Sequence, residues 1–213
     1  VLIYNMGGMD TEVTIARYSH LNVSEKAKKL TPYIEILAES SERDLGSKDI
    51  ELVLFNVLAD KFNALKEREG KPDVRTNVKA SKRLLKEVIK IKEVLSANKY
   101  ASIKVPELVD YVTLQLTLER SEKEEKATHI FERVTKPIDK ALEIAGLTMD
   151  QINQVEMLGG GIRTPKITEI LENAVKGKEL GVHLNGDEAM CFGSAFIGSN
   201  NTMNFKVASV MLT

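Results

Sequence analysis

The sequence holds a single cysteine in 213 residues, so no internal disulfide can staple it. Cys191 sits among small and apolar residues and reads as a packed structural thiol. Long apolar runs are missing too: Asn5 and Asp10 close off the opening VLIY, and nothing approaches the roughly 18–20 residues a membrane helix needs. Charge of one sign is absent. With 30 basic against 31 acidic residues, no excess draws the chain to nucleic acid or anionic lipid. The three histidines, His20, His129 and His183, lack metal-ligand spacing, and no Ser–His–acid arrangement can be drawn. There is no internal repeat and no low-complexity tract. What is there, 43% apolar and 29% charged residues, is the composition of an ordinary soluble globular protein and excludes disorder and collagen. A chain this long buries roughly 70% of its unfolded surface, in one domain or two small ones. Opening on Val1, without an initiating Met or a signal peptide, it reads as a segment of a longer protein.

Two β-rich stretches, Val1 to Tyr4 and Thr11 to Ser19, flank Gly7 and Gly8 and suggest a hairpin, with Val13, Ile15 and Arg17 alternating against Thr14, Ala16 and Tyr18. A third strand is expected over Tyr33 to Ala38, after the charged stretch SEKAKK. From Leu45 to Leu65 the spacing of Leu52, Phe55, Leu58, Ala59 and Phe62 predicts a helix. A second helix follows from about Lys79 to Ala97, burying Leu84, Leu85, Val88, Ile91, Val94 and Leu95. Strands are expected between Tyr100 and Leu118, then a charged helix over ERSEKEEKATHIFERV. Pro137 starts the next helix and Gly146 ends it. The last third alternates: strand QVEML, a glycine run, a helix from about Pro165 to Val175, and the helix DEAMCFGSAFIGS. In that last helix Ala189, Gly193, Ser194 and Ala195 offer a small face for close packing on a sheet. The order describes an α/β fold.

A strand ending in a glycine run that opens a helix turns backbone N–H groups toward a ligand. MLGGGIRTPK, from Met157 to Lys166, has that design, though its spacing is neither the dinucleotide fingerprint nor the P-loop. It serves equally as a tight strand–helix turn. Arg163 just beyond could stack on a base or bind phosphate, or simply pair at the surface. The turn in YNMGGMDTEV could cradle phosphate in a nest of N–H groups, or be only a hairpin. Asp10 and Glu12 supply too few oxygen ligands for a hard cation, so no metal site is assigned. Two sequons, Asn22-Val23-Ser24 and Asn200-Asn201-Thr202, matter only in a secretory compartment.

Taken together, NMGGMDTEVTI, LGSKDIELVLFNVLADKFN, LKEVIKIKEVLSAN, MLGGGIRTPKITEILENAV and LNGDEAMCFGSAFIG resemble, in order and spacing, the second half of the nucleotide-binding domain of the seventy-kilodalton heat-shock family. LSAN and KGKELG are similar in particular to its large glucose-regulated branch. The resemblance implies an actin-like (ribonuclease H-like) ATPase lobe, a mixed sheet with flanking helices plus an inserted α+β subdomain. The base would be residues 1–45 and 119–213, and the insert 46–118. It also implies ATP or ADP with Mg2+ as cofactor in the full two-lobe domain, a partner heat-shock chaperone, unfolded polypeptides bound through absent domains, and the endoplasmic reticulum lumen as location, with the cytoplasm as the alternative. Neither nucleic acid nor membrane is implied as a partner.

Carried over residue by residue, Gly159, Gly160 and Arg163 match the adenosine-binding turn and Asp187 the acid beneath it. Lys92 and Ser96, one turn apart on a helix, match positions over adenine and ribose, and Gly7 and Gly8 match the β-phosphate turn. The first lobe's phosphate loop and catalytic lysine are absent, so no catalytic residue is assigned and the isolated lobe is expected to lack ATPase activity. The chain departs from the family at Asn5, where an acid organises magnesium-bound water, at Met9 for a third glycine, and at Asp10 for a hydroxyl. It also departs at Gly161 and Thr164, for serine and isoleucine. An amide cannot replace a carboxylate as proton acceptor, so the expectation is base binding retained and hydrolysis degraded, with an active ATPase or a nucleotide-free scaffold as alternatives.

Overall fold

Three strands, two helices, a two-stranded hairpin and three more helices follow one another before strands and helices alternate singly in the last third. A computed structural model describes residues 1–22, 30–202 and 210–213. In chain order the elements are β1 (Leu2–Met6), β2 (Asp10–Asn22), β3 (Leu30–Arg43), α1 (Ser47–Asn63), α2 (Val78–Ala97), β4 (Tyr100–Val109), β5 (Val112–Glu119), α3 (Arg120–Lys126), α4 (Thr128–Phe131), α5 (Lys136–Ala145), β6 (Val155–Leu158), α6 (Pro165–Ala174), β7 (Leu180–Gly181), α7 (Ala189–Asn200) and β8 (Met211–Leu212). Val23 and Ser24 of the first sequon and the stretch SEKAKK lie outside the described residues. The chain divides into two units. One comprises Val1–Gly46, Val134–Arg163 and Ile167–Thr213; the other comprises Ser47–Arg133 with Thr164–Lys166. Residues 119–133, which the sequence reading assigned to the base, fall within the second.

The first unit is built on a six-stranded mixed sheet in the order β7-β6-β1-β2-β3-β8. The hairpin partners β1, β2 and β3 pair antiparallel, while β6 enters parallel beside β1. Leu2, Tyr4 and Met6 of β1 are fully buried and alternate with half-buried Ile3 and Asn5. In β2 the period of two fails. A register shift between Ile15 and Ala16 buries both, so Ala16, expected on the other face, joins Val13 and Ile15 in the core. α5 packs on β2 and β3, where Ser40 Oγ donates to the Pro137 carbonyl at 2.5 Å. Gly146 ends α5 at φ +63°, with Leu147 N donating to the Leu142 carbonyl at 3.0 Å, the left-handed cap that glycine permits.

In the second unit α1 packs on α2, and the β4–β5 hairpin packs against α2. Asn77 caps α2, its side chain accepting from Ala80 N at 3.0 Å. The buried stripe of α2 is Ala80, Leu84, Val88, Ile91 and Leu95; Leu85 and Val94, expected inside, are exposed because they flank that stripe. In α1, Leu52 is likewise exposed and Ile50, Leu54 and Val57 take its place. The charged helix breaks at Ala127 into α3 and α4, and Lys123 is buried within α3. Burial lowers the Lys123 pKa, because it disfavours the ammonium form; the charge of Glu124 opposes that shift and those of Arg120 and Lys92 add to it.

Two expectations about the last helix fail. No residue of α7 is buried, so its small face is not packed away as expected, and Cys191 is exposed rather than packed. Among the described residues no helix is long and apolar enough to cross a membrane.

Candidate functional site

The site is built where two parallel strands end together. β1 and β6 are in register from Leu2↔Val155 to Asn5↔Leu158, so Gly7 and Gly159 begin turns that leave neighbouring strand ends. Crevices outside the carboxyl ends of strands are the usual ligand positions of open α/β sheets.

The first turn is a hairpin. Gly7 N donates to the Asp10 carbonyl at 2.9 Å, and Met6 faces Thr11 across the ladder. One N–H of the imagined nest is thereby used inside the turn. Sequence reasoning missed what backs it: a Cβ on Gly46 would lie 2.6 Å from Met9 N and against the Gly8 carbonyl. Thr11, fully buried, ties this segment down by donating Oγ1 to the Leu45 carbonyl at 2.6 Å. The LGS preceding α1 was the available signal.

The second turn has Gly159 at φ +82°, where a Cβ would collide with the Met6 carbonyl and stand 2.8 Å from Asn5 Oδ1. A Cβ on Gly161 would stand 2.9 Å from Met6 Sδ. Gly160 meets nothing within 4 Å. The glycine run does not open the α-helix directly; Gly160–Arg163 forms a 3-10 turn first, and Thr168 Oγ1 donates back to the Ile162 carbonyl at 2.9 Å.

Arg163 and Asp187, 24 positions apart, are brought together: Nη2 donates to Oδ2 at 2.8 Å. Both side chains are about two-thirds exposed, so the guanidinium keeps an open planar face. Asp187 N–H donates to Asn185 Oδ1 at 3.0 Å, and Asn185 Nδ2 to Glu188 Oε2 at 2.8 Å.

Lys92 and Ser96 lie in the second unit, near the end of α2. Lys92 Nζ donates to Glu51 Oε1 at 2.5 Å, and Ser96 Oγ to the Glu93 carbonyl at 2.6 Å. Arg120 caps the same helix end, with Nε donating to the Leu95 carbonyl at 2.8 Å. Glu51 and Arg120 carried no sequence signal, since their partners are 41 and 25 positions away. Asn5 Nδ2 reaches Glu12 Oε2 at 3.5 Å.

A mixed sheet with flanking helices and paired glycine turns at adjoining strand ends defines an α/β ligand-binding lobe. The family model described as Hsp70 protein matches residues 1–213, and the chain belongs to that family. Its fold is that of the actin-like ATPase domain. The chain is 36% identical over 207 residues to Hypoxia up-regulated protein 1 of Cricetulus griseus, covering 97% of this chain and 20% of the relative. The Homo sapiens protein of that name is 35% identical over the same shares. That of Gallus gallus is 34% identical over 212 residues, or 100% of this chain and 21% of the relative. The chain therefore spans about a fifth of the length of these relatives. Hsp70-family domains in general bind ATP or ADP with Mg2+.

Proposed function

We propose that this chain is half of a nucleotide-binding domain that holds the adenosine side of ATP or ADP, in a large chaperone of the Hypoxia up-regulated protein 1 kind. The observation that carries the reading is Gly160. The fold gives it no reason to be glycine, since a Cβ there meets open space, yet it stands next to a guanidinium with an open face. A glycine unforced by its own protein fits a backbone that something else approaches closely. The residues present therefore fit a nucleotide: Gly159 and Gly160 bring backbone to the adenosine, Arg163 lays its plane on the base, and Asp187 fixes that plane. Gly7 and Gly8 form the phosphate-side turn.

Bound nucleotide would supply the phosphoanhydride and Mg2+. This lobe's own residues bind and orient it, and they are poorly suited to moving a proton. Asn5 offers an amide where a proton acceptor is needed, and it reaches the Glu12 carboxylate only at 3.5 Å. Hydrolysis is accordingly degraded, and nucleotide serves to set lobe geometry for a partner heat-shock chaperone, in an exchange-factor or holding role. The assignment of Lys92 and Ser96 rests on the family resemblance alone. The same resemblance supports a place in the endoplasmic reticulum lumen.

Calorimetric titration of ATP and ADP with Mg2+ into the full-length protein tests the reading. Arg163→Ala is expected to weaken binding about tenfold, the scale of one desolvated cation–π contact. No binding by the wild type would make the glycine turns architectural and overturn it. Family-typical turnover, lost on mutation of a catalytic residue in the other lobe, would overturn the degraded hydrolysis alone.

A further inference from the structure

We propose that Glu156, buried in β6, and His183, whose side chain is largely exposed, form a latch that positions Asp187, and through it Arg163. The inference rests on the nucleotide-binding reading and deepens it, naming residues that set the site without touching the ligand.

All four residues of β6 are buried, and Glu156 is the one charged residue among them, with a side chain 7% exposed. A carboxylate in such a strand is costly unless its oxygens are paired. Here they are paired three times. Gln154 Nε2 donates to Oε1 at 2.5 Å, His183 Nδ1 lies 2.7 Å from the same oxygen, and the His183 backbone N–H donates to Oε2 at 3.4 Å. An ionised carboxylate only accepts, so Nδ1 carries the proton. Burial alone would raise the Glu156 pKa, but the bonds from His183 and Gln154 outweigh it and hold the carboxyl below its ordinary value.

Two of the three bonds come from His183, one from its ring and one from its backbone, so Glu156 grips the chain as well as a side chain. Gly181, opposite Glu156 in the β6–β7 ladder, leaves the carboxyl its room; a Cβ there would collide with Oε1. Four residues past His183 stands Asp187, whose carboxylate accepts from Arg163. Among the described residues, the apolar side chains on either side of His183 are largely outside the core. β7 is only two residues long, and Val182 and Leu184 are 72% and 46% exposed. The latch is what fixes where the segment leaves the sheet, and hence where Asp187 meets the guanidinium.

Two measurements on the full-length protein test this: ADP titration, and hydrogen exchange at the amides of residues 183–188. His183→Ala is expected to weaken ADP binding roughly fivefold, about the net worth of one ordinary hydrogen bond. His183→Gln, which keeps a side-chain donor, should return to within about twofold of wild type, since most of that bond is restored. In an Asp187→Ala background His183→Ala should cost nothing more, because both act through one contact. Exchange at 183–188 should quicken in His183→Ala while β1 is unchanged. Unchanged exchange there, or losses that simply add in the double variant, would overturn the latch. Absence of ADP binding in the wild type would instead sink the nucleotide reading, and the exchange data would still decide whether Glu156 and His183 position the segment.

Discussion

The two glycine turns stand at neighbouring strand ends, yet they are glycine for different reasons. Gly159 has no alternative: its φ of +82° and the Met6 carbonyl behind it exclude any side chain. Gly7 has an ordinary φ, and a Cβ there would make a normal 3.5 Å contact with Asp10 Oδ1. Gly160 is freer still. A glycine that the fold demands says nothing about a ligand. One that the fold does not demand is where a ligand is the better explanation.

Replacing Gly159 by alanine should therefore break the fold, with a loss of about 3 kcal/mol or more from a strained φ added to a backbone clash. Gly46→Ala should behave similarly, because its Cβ would press on the Gly8 and Met9 backbone. Urea denaturation checks both. A loss under about 1 kcal/mol at either site, the usual scale of a tolerated substitution, would show that the turns can shift and that the steric argument is wrong.

Gly160→Ala sharpens the contrast from the other side. Stability should stay within about 0.5 kcal/mol of wild type, as at an open surface position. ADP affinity should fall about tenfold or more if a ligand occupies the space that the methyl takes. Gly7→Ala should repeat the pattern for ATP and ADP while sparing adenosine. Wild-type affinity in both variants would leave the open glycines without a functional reason.

Local chemistry was readable in the sequence where the cause is local. The Pro137 start and the Gly146 cap of α5 were foreseen, because each depends on the backbone of one residue. The glycine turns stood out in the sequence, and Arg163 and Asp187 were assigned to one site only through the family resemblance; their ion pair was not foreseen. What the sequence hid depends on partners far along the chain. The parallel entry of β6 beside β1 and the Ile15/Ala16 bulge have no one-residue signature. The β4–β5 turn shows the same limit. Asp110 and Tyr111 both take φ above +50° without a glycine, and Asp110 is held there by an ion pair with buried Arg68, 42 positions earlier. Cys191 and the small face of α7 misled because small and apolar residues signal burial only where a partner surface is present.

The two turns should also part under acid. The Gly7 turn is braced by Gly46 and by the Thr11 hydroxyl, neither of which titrates. The segment that brings Asp187 to the second turn is held by Glu156, whose carboxyl loses its proton more readily in the folded chain than in the unfolded one. The sign follows from proton counting. As pH falls through the carboxylate range the unfolded chain takes up this proton first, so the stability contributed by Glu156 is present near neutrality and drains away below its ordinary pKa of 4.5. Glu156→Gln removes that titration while keeping a polar side chain of the same length. Denaturation at neutral pH and near pH 3.5 should show wild type losing more stability on acidification than the variant, and exchange should quicken at 183–188 before it does in the Gly7 turn. Parallel losses in the two proteins would show that Glu156 titrates alike in both states, and the acid sensitivity would then belong to other carboxylates.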